Sequence, residues 1–122
     1  MKSGLGRHFS ADLYLCQNTP WNTPEHFKRA IDRITPVRND STFSWQTVKV
    51  GPDLYRFSGT LDDMLVLLQI FPDKSYLALD IISWQPQLDL QSFAESLIDL
   101  FAPQVIASES RLRGEHLLDQ PN

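Results

Sequence analysis

Two apolar segments joined by a short turn constrain the fold of this chain more than any other feature. Residues 64–71 and 76–84 each have the length of a strand, and Pro72-Asp73-Lys74-Ser75 between them has the composition of a turn. Segments this apolar are typical of strands in the middle of a sheet. They predict a β-hairpin near the sheet centre, and residues 64–71, the longest apolar stretch, are too few to span a bilayer.

Alternating sequences predict further strands on both sides of this hairpin. Apolar residues alternate with polar ones over residues 8–16, and residues 42–50 follow the same period. Gly51-Pro52-Asp53 forms a turn into a strand over residues 54–60, and residues 104–113 form the last strand. The predicted order is β-α-β-β-β-β-α-β, or one strand fewer if residues 54–60 are irregular.

Each of the two predicted helices has one apolar stripe. The N-cap residue Thr23 and Pro24 begin the first helix, which ends at Pro36. Asp89 caps the second helix, which ends near Pro103. The stripes consist of residues at helical spacing: Phe27, Ala30, Ile31 and Ile34 in the first helix, and Leu90, Phe93, Ala94, Leu97, Ile98 and Phe101 in the second.

These elements predict an α+β fold. Two helices with one apolar stripe each can cover one face of a single antiparallel sheet, which gives a two-layer sandwich. The other face of the sheet also carries apolar residues and has no third layer to cover it. Pairing the faces of two copies would bury it, so we expect a homodimer.

Length, charge and cysteine content exclude several classes of protein. The 122 residues fit a single domain, which we place at residues 1–113, followed by a polar tail at residues 114–122. A net charge of −4 without a run of Lys or Arg argues against nucleic-acid and membrane partners. The single cysteine, Cys16, and the lack of a secretory signal indicate the cytoplasm. The chain has no metal-ligand spacing and no cofactor motif, so no metal is expected.

Two short stretches carry a resemblance to a known family. They are Gly-Leu-Gly-Arg-His-Phe-Ser-Ala-Asp-Leu-Tyr-Leu-Cys at residues 4–16 and Phe-Pro-Asp-Lys-Ser-Tyr-Leu-Ala-Leu-Asp-Ile at residues 71–81. In order and separation they resemble the short bacterial and archaeal S-adenosylmethionine decarboxylases, which cut themselves at an internal serine and convert it into a pyruvoyl group. The resemblance covers residues 2–113. It implies the same α+β sandwich and a homodimer, with the site at the sheet edge near the dimer contact.

The resemblance implies that part of a nucleoside site is kept. Asp12 aligns with an acidic residue in the first strand of the family. Phe71-Pro72-Asp73 aligns with a Trp-Pro-Glu segment of the family, whose Glu binds the ribose hydroxyls. Ser58-Gly59 aligns with a Ser-Gly pair that assists self-cleavage in the family. A carboxylate accepts both ribose hydroxyl protons, and an aromatic ring suits adenine or a sulfonium cation. The implied ligand-binding residues are therefore Asp12, Ser58, Phe71 and Asp73.

The positions that perform chemistry in the family are replaced. Asp63-Met64 stands where the family is cut at Glu-Ser, Gln69 replaces a histidine needed for processing, and Trp84 replaces a cysteine proton donor. A thioether cannot attack a peptide bond or become a ketone, and glutamine is neither an acid nor a base near neutral pH. We therefore expect no catalytic residue at Met64, Gln69 or Trp84, and no pyruvoyl cofactor. Ser58 is a poor substitute cleavage site.

Several of these residues also have a purely structural interpretation. A turn aspartate beside proline, such as Asp73, is often explained by turn chemistry alone. His8 and Cys16 fall on one face of the predicted strand but are too far apart to share a metal ion. Trp45 and Trp84 suit core or dimer packing as well as base stacking.

Three functions are compatible with the sequence. The favoured one is a non-catalytic relative of S-adenosylmethionine decarboxylase, a regulatory or partner subunit linked to polyamine (spermidine) synthesis through an active paralogue. It would retain S-adenosylmethionine or a related nucleoside as a ligand. The second is a repurposed enzyme that uses the carboxylates of Asp12, Asp73 and Asp63. The third is a structural homodimer in which Met64, Gln69 and Trp84 close the old site.

Overall fold

The computed structural model describes residues 6–17, 24–34, 44–61, 63–84 and 89–113. Within them the chain forms six strands and two α-helices. In chain order these are β1 (Gly6–Tyr14), α1 (Pro24–Ile34), β2 (Ser44–Lys49), β3 (Tyr55–Leu61), β4 (Met64–Phe71), β5 (Tyr76–Ser83), α2 (Leu90–Asp99) and β6 (Val105–Arg113). The predicted order of elements is confirmed, and the third strand, which was open to doubt from the sequence, is regular.

The strands form one antiparallel sheet in the order β2-β3-β4-β5-β1-β6. The β4–β5 hairpin occupies the two central positions, as the apolar segments predict, and a single 3-10 turn over Pro72–Lys74 connects the two strands. β1 lies between β5 and β6, so residues from three distant parts of the chain are neighbours. Asp12, for example, lies opposite Ala78 on one side and Ala107 on the other.

Both helices pack on the same face of the sheet, which confirms the two-layer α+β sandwich. β4 contributes its alternate residues to the core: Met64, Val66, Leu68 and Ile70. The whole predicted second stripe is buried, although α2 ends at Asp99 and Phe101 lies in the turn after it. Ile31 of α1 is fully buried. Alternation with period 2 in the strands and 3.6 in the helices therefore accounts for the core. None of the described helices is long and apolar enough to cross a membrane.

The start of α2 follows its predicted cap. The Asp89 carboxylate accepts hydrogen bonds from the backbone N–H and the hydroxyl of Ser92, at 3.1 and 2.8 Å. These bonds stabilise the ionised form and lower the pKa of Asp89. α1 begins at Pro24 as predicted. The predicted cap at Thr23, the end at Pro36, the side chain of Phe27 and the tail at residues 114–122 lie outside the described residues.

The end of β1 differs from the prediction. The strand stops at Tyr14, because Leu15 adopts a left-handed backbone conformation with φ 56°. The chain then turns, and Cys16 is buried in the core instead of lying on the face of His8. Burial raises the pKa of the Cys16 thiol. Residue alternation alone gave the wrong face for Cys16, because it carries no information about a left-handed turn.

Candidate functional site

The face of the sheet away from the helices, called the open face below, carries a shallow depression of ≈ 290 Å³ over β5, β1 and β6. The small side chains of Ala78 and Ala107 leave the space. Three carboxylates line it, those of Asp12, Asp80 and Glu109, each from a different strand. Like charges this close together concentrate negative potential, which favours a cationic ligand. Within the described residues no group of three or more His, Cys, Asp or Glu side chains is arranged to hold a metal ion.

Asp12 is held in place by a phenol. The hydroxyl of Tyr76 donates a hydrogen bond to Oδ1 of Asp12 at 2.5 Å, across the β1–β5 pairing. This bond, together with burial and the charges nearby, raises the pKa of Tyr76 to about 12. Tyr76 therefore remains a hydrogen-bond donor throughout the physiological pH range, and the second oxygen of Asp12 is left for another donor or a cation.

A row of stacked aromatic rings adjoins the depression. The ring centroids of Tyr14 and Tyr76 are 5.3 Å apart and those of Phe71 and Tyr76 are 5.5 Å apart, each pair with an interplanar angle of 28°. The ammonium group of Lys74 lies 6.0 Å from the Phe71 centroid. Tyr14, Tyr76 and Phe71 come from neighbouring strands β1, β5 and β4, so the ring of Tyr76 is stacked between the other two, and the outer ring faces of the row belong to Tyr14 and Phe71.

His8 links the depression to the edge of the sheet. Its Nε2 lies 2.9 Å from Oδ1 of Asp80, and its Nδ1 lies 3.1 Å from a guanidinium nitrogen of Arg113. Because a guanidinium group only donates, Nδ1 is the acceptor, and the proton of the neutral imidazole is on Nε2, which donates to Asp80. His8 thus fixes the position of one carboxylate of the depression.

The structure brings together two of the four predicted ligand-binding residues. Asp12 and Phe71 both contact Tyr76. Asp73 is exposed on the turn after β4, where a hydrogen bond and charge repulsion from Asp53 raise its pKa. Ser58 lies on β3 opposite Leu67, with β4 and β5 between it and Asp12.

Tyr76, Asp80 and Glu109 were not predicted as site residues from the sequence. Each lies in an ordinary alternating strand, and only the insertion of β1 between β5 and β6 brings them beside Asp12. The one signal in the sequence that could have indicated a site residue is Asp80, a charged residue within an otherwise apolar strand.

Met64, Gln69 and Trp84, which the resemblance aligns with processing and catalytic positions, do not form one cluster. Met64, at the start of β4, is 5% exposed and points into the core beneath the helices. The backbone N–H of Trp84 donates to the carbonyl of Asp63 at 3.1 Å, which places Trp84 beside Met64. Gln69 lies about 16 Å further along β4, at about 3.3 Å per residue. It is on the open face, where it accepts a hydrogen bond from Arg56 at 3.2 Å.

The indole ring of Trp84 packs against Gly6. A Cβ atom added to Gly6 would lie 2.5 Å from Cε3 of Trp84, so only glycine permits this contact. The Met64 end of the sheet and the aromatic end at Phe71 are separated by the length of β4, about 23 Å at about 3.3 Å per residue. Met64 and Trp84 therefore lie at the opposite end of the sheet from the aromatic row, whereas Gln69 lies two residues from Phe71.

Comparisons with known proteins agree with this fold. No family model matches the sequence, and no curated protein matches it. Among solved structures, the chain is similar to the adenosylmethionine decarboxylase from Aquifex aeolicus VF5, with a TM-score of 0.74 over 92% of this chain and 92% of that chain. The sequence identity is 15%, so this likeness shows a shared fold.

Proposed function

We propose that this chain is a non-cleaving protein on the S-adenosylmethionine decarboxylase scaffold, which binds S-adenosylmethionine or a related cationic nucleoside. It acts in the cytoplasm as a homodimer and as a regulatory or partner subunit of an active decarboxylase in polyamine (spermidine) synthesis. The observation that carries the ligand assignment is the acidic depression beside the aromatic row on the open face.

The two parts of this surface match the two parts of such a ligand. The carboxylates of Asp12, Asp80 and Glu109 attract the sulfonium and the amine of the amino-acid moiety. The outer ring faces of Tyr14 and Phe71, at the two ends of the aromatic row, offer stacking surfaces for adenine. The distance between the depression and the rings is short, because Tyr76 itself bonds to Asp12.

The residues at the Met64 end of the sheet support the absence of self-cleavage. Met64 has a thioether in place of a nucleophile and packs in the core. Trp84 offers only an indole N–H donor in place of a thiol. A chain with these side chains has neither the precursor of a pyruvoyl group nor its proton donor.

A structural homodimer with a closed site is the second candidate. It is favoured by the packing of Trp84 on Gly6 and by the burial of Met64, both of which fill the end of the sheet where family chemistry occurs. A repurposed enzyme is less well supported. It requires a carboxyl group with a raised pKa in a dry pocket, whereas Asp73 has its raised pKa on an exposed turn beside Asp53.

The test is a calorimetric titration with S-adenosylmethionine. We expect binding in the micromolar range and at least tenfold weaker binding by an Asp12→Asn variant. Asp63→Asn, which removes an exposed carboxylate at the other end of the sheet, is the matched control and should bind as the wild type. Asp73→Ala tests the ribose contact that the resemblance implies. No heat with the wild type would exclude the ligand and favour the closed-site homodimer.

A further inference from the structure

His8 lies between a carboxylate and a guanidinium group that make opposite demands on its ring. Its Nε2 donates to Oδ1 of Asp80 at 2.9 Å, and its Nδ1 accepts from Arg113 at 3.1 Å. Asp80 belongs to β5 and Arg113 to β6, so the ring of His8 connects the two strands that flank β1. The side chain of His8 is 15% exposed. A group that can take up a proton is therefore held with both ring nitrogens already bonded.

Protonation of His8 is incompatible with its contact to Arg113. An imidazolium ring carries a proton on each nitrogen, and a guanidinium group has donors only. Two N–H groups cannot form a hydrogen bond with each other, and two positive charges at this distance repel. The bond to Asp80, by contrast, becomes a bond between two opposite charges and is strengthened. Protonation therefore retains Asp80 as a partner of the ring and displaces Arg113.

The charge of His8 also acts on the acidic depression. Within the described residues of β1, β5 and β6, the charged side chains that share the open face with His8 are Asp12, Asp80, Glu109, Arg111 and Arg113. Arg111 lies directly opposite His8, but its partner is Glu109, at 4.0 Å. The three carboxylates of this set line the depression. A positive charge on His8 offsets part of their negative potential.

We propose that His8 is a proton switch for the depression: its protonation releases Arg113 and weakens the binding of a cation. The effect on binding rests on the proposed function, whereas the release of Arg113 does not. Histidine is the side chain whose charge most readily changes between pH 5 and 8. A proton on His8 and a cation in the depression repel each other, so binding is weaker on the acid side. By reciprocity, a bound cation favours the neutral ring.

NMR of the protein without ligand tests the release of Arg113. Two-bond ¹H–¹⁵N spectra report the tautomer and the titration of each imidazole, and a His8→Gln variant identifies the signals of His8 among the three histidines. We expect neutral His8 to carry its proton on Nε2. Arg113→Met should raise the pH of half-protonation of His8 by about 0.5 unit or more, because the neutral ring loses a donor and the charged ring loses a repelling neighbour.

Arg111→Met is the matched control for this titration. It removes the same charge from the same strand, at the position directly opposite His8, but takes no bond from the ring. It should shift the titration of His8 by clearly less than Arg113→Met. Equal shifts in the two variants, or a neutral ring with its proton on Nδ1, would overturn the switch.

Calorimetric titration with S-adenosylmethionine at about pH 7.5 and about pH 5.5 tests the effect on binding. The wild type should bind roughly fivefold more weakly at the lower pH, and saturating ligand should lower the pH of half-protonation of His8 by about 0.7 unit, the same factor. His8→Gln, which cannot take up a proton, should bind equally at both values. Equal binding by the wild type, or the same weakening in His8→Gln, would overturn the link to the depression. No binding at either pH would contradict the proposed function and with it the effect on affinity, whereas the NMR titration alone decides the release of Arg113.

Discussion

Replacing Met64 by serine should destabilise the protein without leading to cleavage of the chain. Met64 is 5% exposed in the core beneath the helices. Truncating a buried methionine to alanine costs about 2–5 kcal/mol, through lost burial and the cavity left behind. A serine hydroxyl left without a partner in that cavity adds about 1–3 kcal/mol. We therefore expect Met64→Ser to lose about 3–8 kcal/mol, a large part of the ~5–15 kcal/mol typical of a domain.

The assay is equilibrium urea unfolding, with intact mass spectrometry on the same samples. Leu65→Ser is the matched control, because Leu65 is the next residue of β4 but lies on the open face and is 37% exposed. It should lose about 1 kcal/mol, in proportion to the smaller apolar area it buries. If Met64→Ser loses no more than Leu65→Ser, the position is not a core position. If the variant is cut or gains a pyruvoyl group, the argument from Gln69 and Trp84 is wrong.

Three further predictions follow from single contacts. Tyr76 should ionise near pH 12 in an ultraviolet pH titration, and a Tyr76→Phe variant should lack that step. Since the pKa of Tyr76 is raised in the folded state, its bond to Asp12 stabilises the protein fully below about pH 10 and loses its effect as pH rises toward 12. Asp89→Ala should lower the midpoint of urea unfolding at neutral pH, and the difference from the wild type should vanish as pH falls below 3.8 through the lowered pKa of Asp89. Gly6→Ala should cost about 1–3 kcal/mol in thermal unfolding, because its Cβ would overlap the ring of Trp84.

The parts of the fold that depend on local sequence could be predicted. The β4–β5 hairpin follows from two apolar segments around a turn, and the buried stripe of α2 follows from helical spacing after the cap at Asp89. The strand order could not be predicted, because the position of β1 between β5 and β6 depends on pairing between residues that are far apart in sequence. The predicted face of Cys16 was wrong for a local reason, because the alternation of apolar and polar residues does not reveal the left-handed conformation of Leu15.

The candidate site was predicted only in part. The resemblance pointed to Asp12 and Phe71, which the structure joins through Tyr76. It also named Asp73, which lies on the exposed turn two residues after Phe71 and shares a hydrogen bond with Asp53. The carboxylates that complete the depression come from strands β5 and β6, and neither stands out in its own segment. Their significance depends on the register of β1 with both neighbours, which a single sequence does not contain.

Native mass spectrometry of the wild type with S-adenosylmethionine tests the central claim most directly, because it reads the covalent state and the bound ligand together. We expect uncut chains of 122 residues that carry one S-adenosylmethionine each. Two chain fragments would contradict the loss of self-cleavage. An uncut chain that carries no ligand at saturating S-adenosylmethionine would contradict the ligand assignment.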